Sequence, residues 1–225
     1  MRTAVVIGAT GLVGQLLVDK LAHARSWTNI LAISRRPVTW SHPKIRGLVF
    51  DFKGWSELEL QIRSFSGHQP TDFFCALGTT IGKAKSKAAF KKVDHDDVVL
   101  FAKMARNARA EKLLVVSAKG ADAESKVFYN RIKGQMETDV QKEFAGFVRF
   151  ARPSLLLGDR KEFRLAERIA ILAAPLYSPL LTGKLAAYKP IRADCVAEAL
   201  IAIANNKLSS SIIIENEELI KICKE

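Results

Sequence analysis

The chain has 225 residues, of which 48% are hydrophobic and 26% charged, and it carries a formal net charge of +12 at pH 7. That length suits one domain, or one domain with a small elaboration, and should bury about 70–75% of the unfolded surface. No internal repeat is visible, no apolar run reaches the ~18 residues a bilayer span needs, and Cys75, Cys195 and Cys223 form neither a metal-ligand pattern nor a disulfide framework. The cysteines read as buried or incidental thiols in a reducing compartment, so a cytoplasmic location is expected.

The opening segment carries the most information. Thr3-Ala4-Val5-Val6-Ile7 is a short apolar run, followed by Gly8-Ala9-Thr10-Gly11-Leu12-Val13-Gly14 and then an amphipathic stretch from Gln15 to Leu21. A buried strand, a glycine turn and a helix begin a dinucleotide-binding sheet. Gly8 would turn the chain, Gly11 would let backbone approach a pyrophosphate, and Gly14 would let the helix pack closely. Thr10, Leu12 and Val13 complete the loop, and the helix N-terminus offers free N–H groups to phosphate. Arg2, the apolar stretch and Ala22-His23-Ala24 superficially resemble a secretion signal, but the three glycines, Asp19 and Lys20 interrupt it, so no cleaved signal is expected.

Further along, apolar runs alternate with helical patterns, as in a parallel sheet covered on both faces. Strands are predicted near 3–7, 29–34, 47–51, 72–77, 112–117, 147–152 and 211–215. Helices are predicted near 12–24, 55–65, 87–108, 125–144, 163–173, 194–206 and 216–223, with Asp194 as an N-cap. The expected architecture is α/β, a Rossmann-type doubly wound parallel sheet of about seven strands in the order 3-2-1-4-5-6-7. The whole chain, 1–225, is expected to form one dinucleotide-binding domain. Residues 158–193, with Pro175, Pro179, Gly183 and Pro190, break the rhythm and read as a substrate-facing insertion.

The second strand runs into Ser34-Arg35-Arg36-Pro37. An NAD-specific site usually places a carboxylate there for the ribose 2′-OH; a hydroxyl and two guanidiniums suit a 2′-phosphate instead. NADP(H) is therefore expected over NAD(H). Asp51 and Phe52, after the third strand, are candidates for the adenine edge, although a plain turn aspartate is an equal reading of Asp51. After the fourth strand, Ala76, Leu77, Gly78, Thr79 and Thr80 are placed to approach phosphate or ribose.

At the other end of the sheet, Val115-Val116-Ser117 closes the fifth strand, and Tyr129 and Lys133 follow at i,i+4 on one helix face. Hydride transfer to a carbonyl leaves an oxygen that must be protonated. A tyrosine of ordinary pKa ~10 is a poor acid–base group near neutrality, and an adjacent ammonium favours its phenolate. On this reading Tyr129 is the acid, Lys133 lowers its pKa and binds ribose hydroxyls, and Ser117 holds the substrate oxygen against Tyr129.

The set Gly8 to Gly14, Ser34-Arg35-Arg36, Cys75 to Thr80, Lys92-Val93-Asp94-His95-Asp96, Ser117 to Asp122, Tyr129 to Gly134 and Arg152-Pro153-Ser154-Leu155-Leu156-Leu157-Gly158 spans residues 1–160 in order. It resembles the atypical short-chain dehydrogenases/reductases, in particular their Tat-interacting-protein-like (oxidoreductase HTATIP-like) branch. The resemblance implies NADP(H) binding, with Pro153 among the cofactor contacts, and a Ser117–Tyr129–Lys133 active site with no metal. Better-known members add an asparagine on the helix after the fourth strand. Asp94 and His95 lie in that region here, without an assigned role.

The expected activity is NADPH-dependent reduction of a small carbonyl substrate by a monomer or homodimer. Alternatives are an NADPH-binding regulatory or interaction protein with little turnover, and a nucleotide-sugar epimerase-like enzyme. Lys83, Lys85, Lys87, Lys91 and Lys92 favour an anionic substrate or partner in each case. Only Phe90 interrupts these lysines, which is no stacking platform, so nucleic acid is not the expected partner.

Overall fold

The structure is a computed structural model that describes residues 2–158, 189–205 and 211–224. Seven parallel strands form one sheet: β1 (Arg2–Ile7), β2 (Trp27–Ser34), β3 (Ile45–Val49), β4 (Thr71–Cys75), β5 (Lys112–Val116), β6 (Phe147–Arg152) and β9 (Ile213–Glu215). Their order is β3-β2-β1-β4-β5-β6-β9, the predicted order with β9 as the seventh strand. Two short strands, β7 (Leu156–Leu157) and β8 (Ile191–Arg192), pair separately in parallel. The helices are α1 (Leu12–His23), α2 (Trp55–Ser66), α3 (Ile81–Ala84), α4 (Lys87–Lys91), α5 (Asp97–Asn107), α6 (Phe128–Glu143), α7 (Ala193–Ala204) and α8 (Asn216–Lys224), with a π-helical turn at Lys92–Asp96 between α4 and α5.

The two-residue period of β1 divides the core. Ala4 and Val6 join Leu17, Leu21, Val196 and Leu200 on one face. Val5 and Ile7 join Ile62, Phe101, Met136 and Val140 on the other. A strand apolar at every position from Ala4 to Ile7 is what a sheet covered by helices on both sides requires.

Gly8 sits at φ +78, and a Cβ there would lie 2.6 Å from the Ala76 carbonyl carbon. The strand therefore turns at Gly8 while passing against the end of β4. A Cβ on Gly14 would lie 2.1 Å from the Gly8 carbonyl oxygen, so α1 can begin this close to the turn only without a side chain.

Some local expectations need correction. The third strand is Ile45–Val49 and not 47–51. It is a sheet edge, and the Phe50 and Phe52 rings that extended the apparent apolar run pack with Trp55 instead. The predicted helix 87–108 is divided by the π-helical turn. Asp194 is not an N-cap: α7 starts at Ala193 after Arg192, and Asp194 accepts the Cys195 N–H at 2.9 Å from within the first turn. Cys195 and Cys223 are not separate thiols but a disulfide across 28 residues, Cα–Cα 5.0 Å, because α7 packs on α8. Cys75 is free and buried. The predicted helix 163–173 and most of the 158–193 insertion lie outside the described residues. Among those described, no helix is long and apolar enough to cross a membrane.

Candidate functional site

The candidate cofactor residues of the loops lie beyond the carboxyl ends of β1, β2, β3, β4 and β6. Thr10 and Gly11 are exposed at the start of α1. Gly11 is the N-cap, no side chain caps the helix, and its first turn holds no acidic residue. Those N–H groups and the positive end of the helix dipole suit an anion. The glycines have different causes. Gly8 and Gly14 answer to the fold, whereas Gly11 has ordinary backbone (φ −71) and a Cβ on it would meet nothing nearer than the Gly8 oxygen at 3.2 Å. A bare backbone at an exposed, uncapped helix start fits a dinucleotide pyrophosphate. Leu12 is half-buried and Val13 buried; the turn returning at Gly158 closes on Leu12, where an added Cβ would come within 2.7 Å of Leu12 Cδ1.

At the end of β2, the Ser34 hydroxyl is buried and donates to the Arg36 carbonyl at 2.7 Å. Ser34 thus shapes the loop, and Arg35 and Arg36 stand exposed on it. Asp51 accepts the Lys53 N–H at 3.0 Å, the plain turn role; Phe52 follows at φ +66. Beyond β4, the Ala76 N–H donates to the Ile7 carbonyl at 2.9 Å, Leu77 is buried and Gly78 is exposed. Thr80 caps α3, its hydroxyl accepting the Lys83 N–H at 3.2 Å. Pro153 is buried, and its carbonyl accepts the Lys119 N–H at 2.9 Å.

The chemical end is built on α6. Tyr129 and Lys133 lie one turn apart, as the spacing predicts. Tyr129 is half-buried, its ring 5.5 Å from that of Phe90. Lys133 is buried behind it, and its Nζ lies 2.8 Å from Asp94 Oδ1. Burial works against the Lys133 ammonium, but Asp94 and Tyr129 outweigh it and hold its pKa above the ordinary value. Lys133 does pull the Tyr129 phenol down, as expected, but it does not set the balance alone. Burial pushes the phenol up, Lys133 pulls it down, Asp94 pushes it up again, and the balance lies above the ordinary value.

Ser117 is not joined to Tyr129 either. Its buried hydroxyl donates to Glu137 Oε1, and Glu137 sits eight residues beyond Tyr129 on α6, about 12 Å along the axis. Glu137 also takes Arg152 Nε at 3.0 Å. Arg152 Nη1 reaches Glu215 at 3.2 Å, and Lys119 meets the same carboxylate at 2.7 Å. Ser117 therefore belongs to a brace joining β5, α6, β6 and β9, and the expected arrangement, its hydroxyl held against Tyr129, is not the one observed.

Motif reading missed Glu137 and left Asp94 without a role. Each interrupts an apolar helical stripe: Phe90, Asp94, Val98 and Phe101 are all buried, as are Lys133, Met136, Glu137 and Val140. A carboxylate inside such a stripe signals a buried partner, since an unpaired charge there would be too costly.

No family model matches the chain. Among curated proteins it is 34% identical over 212 residues to "Protein FMP52, mitochondrial" of Debaryomyces hansenii, covering 92% of this chain and 89% of that one. It is 30% identical over 229 residues to the protein of the same name from Eremothecium gossypii, covering 99% and 97%. Against "Protein HTATIP2" of Rattus norvegicus the figures are 28% over 169 residues, 75% and 69%. Among solved structures it is similar to MoeE5 in complex with UDP-glucose and NAD, with a TM-score of 0.68 and 14% identity over 99% of this chain and 81% of that one. The UDP-glucose 4-epimerase of Thermotoga maritima gives a TM-score of 0.67 and 16% identity over 100% and 82%. These structures confirm the Rossmann-type fold. The expectation of a cytoplasmic location does not stand: it rested on scattered cysteines, two of which are paired, and the fungal relatives are named as mitochondrial proteins. By these relatives the chain belongs to the FMP52 and HTATIP2 family of atypical short-chain dehydrogenases/reductases.

Proposed function

We propose that the chain is an NADPH-dependent oxidoreductase that reduces a small carbonyl compound. The observation that carries this reading is the Tyr129–Lys133 pair, a half-exposed phenol with a buried ammonium one turn behind it on α6, in a sheet that opens with an uncapped, glycine-cradled helix start. Gly11 and the start of α1 would hold a pyrophosphate, Arg35 and Arg36 a 2′-phosphate, and Lys133 ribose hydroxyls. A bound nicotinamide would supply the hydride.

Tyr129 supplies the proton. A phenol of ordinary pKa ~10 is already protonated at neutral pH, the form needed to donate to an oxygen gaining negative charge; burial makes it a weaker acid and the Lys133 ammonium pulls the other way. Phe90 covers one side of the ring and limits water there. The lysine-bearing segment on either side of Phe90 favours an anionic substrate by its field.

The test is oxidation of NADPH against a panel of carbonyl compounds, with Tyr129→Phe as control. The reading expects turnover that falls by about 10²–10⁴-fold in the variant while dinucleotide affinity is retained. Equal turnover in the two proteins would refute it.

A second reading is favoured by the resting partners of the site. Ser117 is committed to Glu137 and Lys133 to Asp94, which suits a dinucleotide-binding regulatory protein with little turnover. Tight dinucleotide binding with no oxidation across the panel would select it.

A further inference from the structure

Asp94 joins two elements behind the phenol. Its Oδ1 meets Lys133 Nζ on α6 at 2.8 Å, with the two side chains 1% and 4% exposed. Its Oδ2 accepts the Thr79 N–H at 2.8 Å in the loop after β4. The carboxylate reaches this place from the π-helical turn Lys92–Asp96, an irregularity that re-aims side chains and is frequent at functional sites.

We propose that Asp94 is a positioning residue that neutralises Lys133 and so sets the acidity of the Tyr129 phenol. The proposal rests on the reading of Tyr129 as the proton donor. An isolated ammonium one turn from a phenol favours the phenolate. An ammonium matched by a carboxylate at 2.8 Å presents a dipole, whose field falls off faster than that of a charge.

Among the described residues, the titratable groups facing the pair are few. Tyr129 and Lys133 come from α6, Asp94 from the π-helical turn and Cys75 from β4. Burial pushes the Cys75 thiol up to about 12, so it stays neutral. Asp97 lies one turn on and is held by Lys92 at 2.9 Å. His95 is engaged elsewhere, with Asp96 at 2.7 Å and Asp139 at 3.1 Å. Burial is the largest influence raising the phenol, Lys133 pulls it down, and Asp94 adds a smaller upward push.

Tyrosinate absorbance, titrated against pH on the full chain without dinucleotide or substrate, tests the proposal. Subtracting the Tyr129→Phe titration isolates this phenol from the other two of the 3 tyrosines. Asp94→Asn should move the Tyr129 midpoint down by about 1–3 units, the usual effect of a nearby charge, at least a tenfold gain in phenolate at a given pH. Asp94→Glu, which keeps the charge, should stay near the wild type, and Lys133→Met should move the midpoint up. An unmoved midpoint in Asp94→Asn would overturn the proposal, as would equal downward shifts in the Asn and Glu variants. If Asp94→Asn does not fold, the Lys133→Met arm decides, and an unmoved midpoint there is equally fatal. The carbonyl panel can fail while this titration succeeds, and the reverse, so the two readings fall separately.

Discussion

The glycine loop with its flanking strands and the α6 site make their demands in different ways. In the loop the constraints are made by backbone and lie next to one another in the chain: Gly8 must turn at φ +78, and Gly14 must carry no Cβ. At α6 they are made by charged and polar side chains from distant segments: Lys133 meets Asp94, and Ser117 meets Glu137, which meets Arg152 and, through Arg152, Glu215. Steric rules of the backbone transfer directly from sequence to structure, whereas ion pairs depend on which elements the fold brings together. The loop is thus held by its own backbone, and the α6 site is a set of partners that a ligand or substitution can rearrange.

The largest effect expected from this contrast lies within the loop itself. Gly14→Ala should abolish folding, since its methyl would fall 2.1 Å from the Gly8 oxygen, far inside contact distance. Gly11→Ala should fold with at most a small loss of thermal stability, as the Gly8 oxygen at 3.2 Å gives way, and should lose dinucleotide affinity. If both variants lost stability alike, the division between structural and ligand-facing glycines would fail. Thermal unfolding with dinucleotide titration checks both.

A smaller effect separates brace from substrate contact at Ser117. Ser117→Ala removes a buried hydrogen bond to a carboxylate and should cost about 1.5–3 kcal/mol of stability, read by denaturant unfolding. Loss of turnover with stability unchanged would return Ser117 to the reacting oxygen. Smaller again is the selectivity of the loop after β2. Arg35 and Arg36 are exposed, so replacing both by Ala should weaken NADPH binding about 10–100-fold, the range for charge-assisted hydrogen bonds, and leave NADH binding nearly unchanged. Equal losses for the two dinucleotides would contradict the 2′-phosphate assignment.

The sheet and its order were legible because buried parallel strands read as apolar runs and their helices as amphipathic stretches. The bounds of the edge strand β3 were not, because its half-exposed residues carry a weak pattern and the neighbouring Phe50 and Phe52 serve an aromatic cluster. The Tyr129–Lys133 spacing gave a shared helix face but said nothing of charge balance, which comes from a residue on another element. Asp94 was in view as an unassigned residue. Its position in the apolar stripe Phe90, Val98 and Phe101 is the signal that marks it, and the π-helical turn that aims it has no local sequence mark. The Cys195–Cys223 pairing was equally hidden, since it depends on how α7 meets α8.

The central claim is that this family member grips an adenine dinucleotide at its opening glycine loop and presents it to Tyr129. Calorimetry of the purified, folded chain with NADP(H) and with NAD(H) tests it most directly. The account predicts saturable binding at one site, tighter for NADP(H) and lost in Gly11→Ala. Absence of heat with every one of these dinucleotides, from protein that unfolds cooperatively, would contradict it.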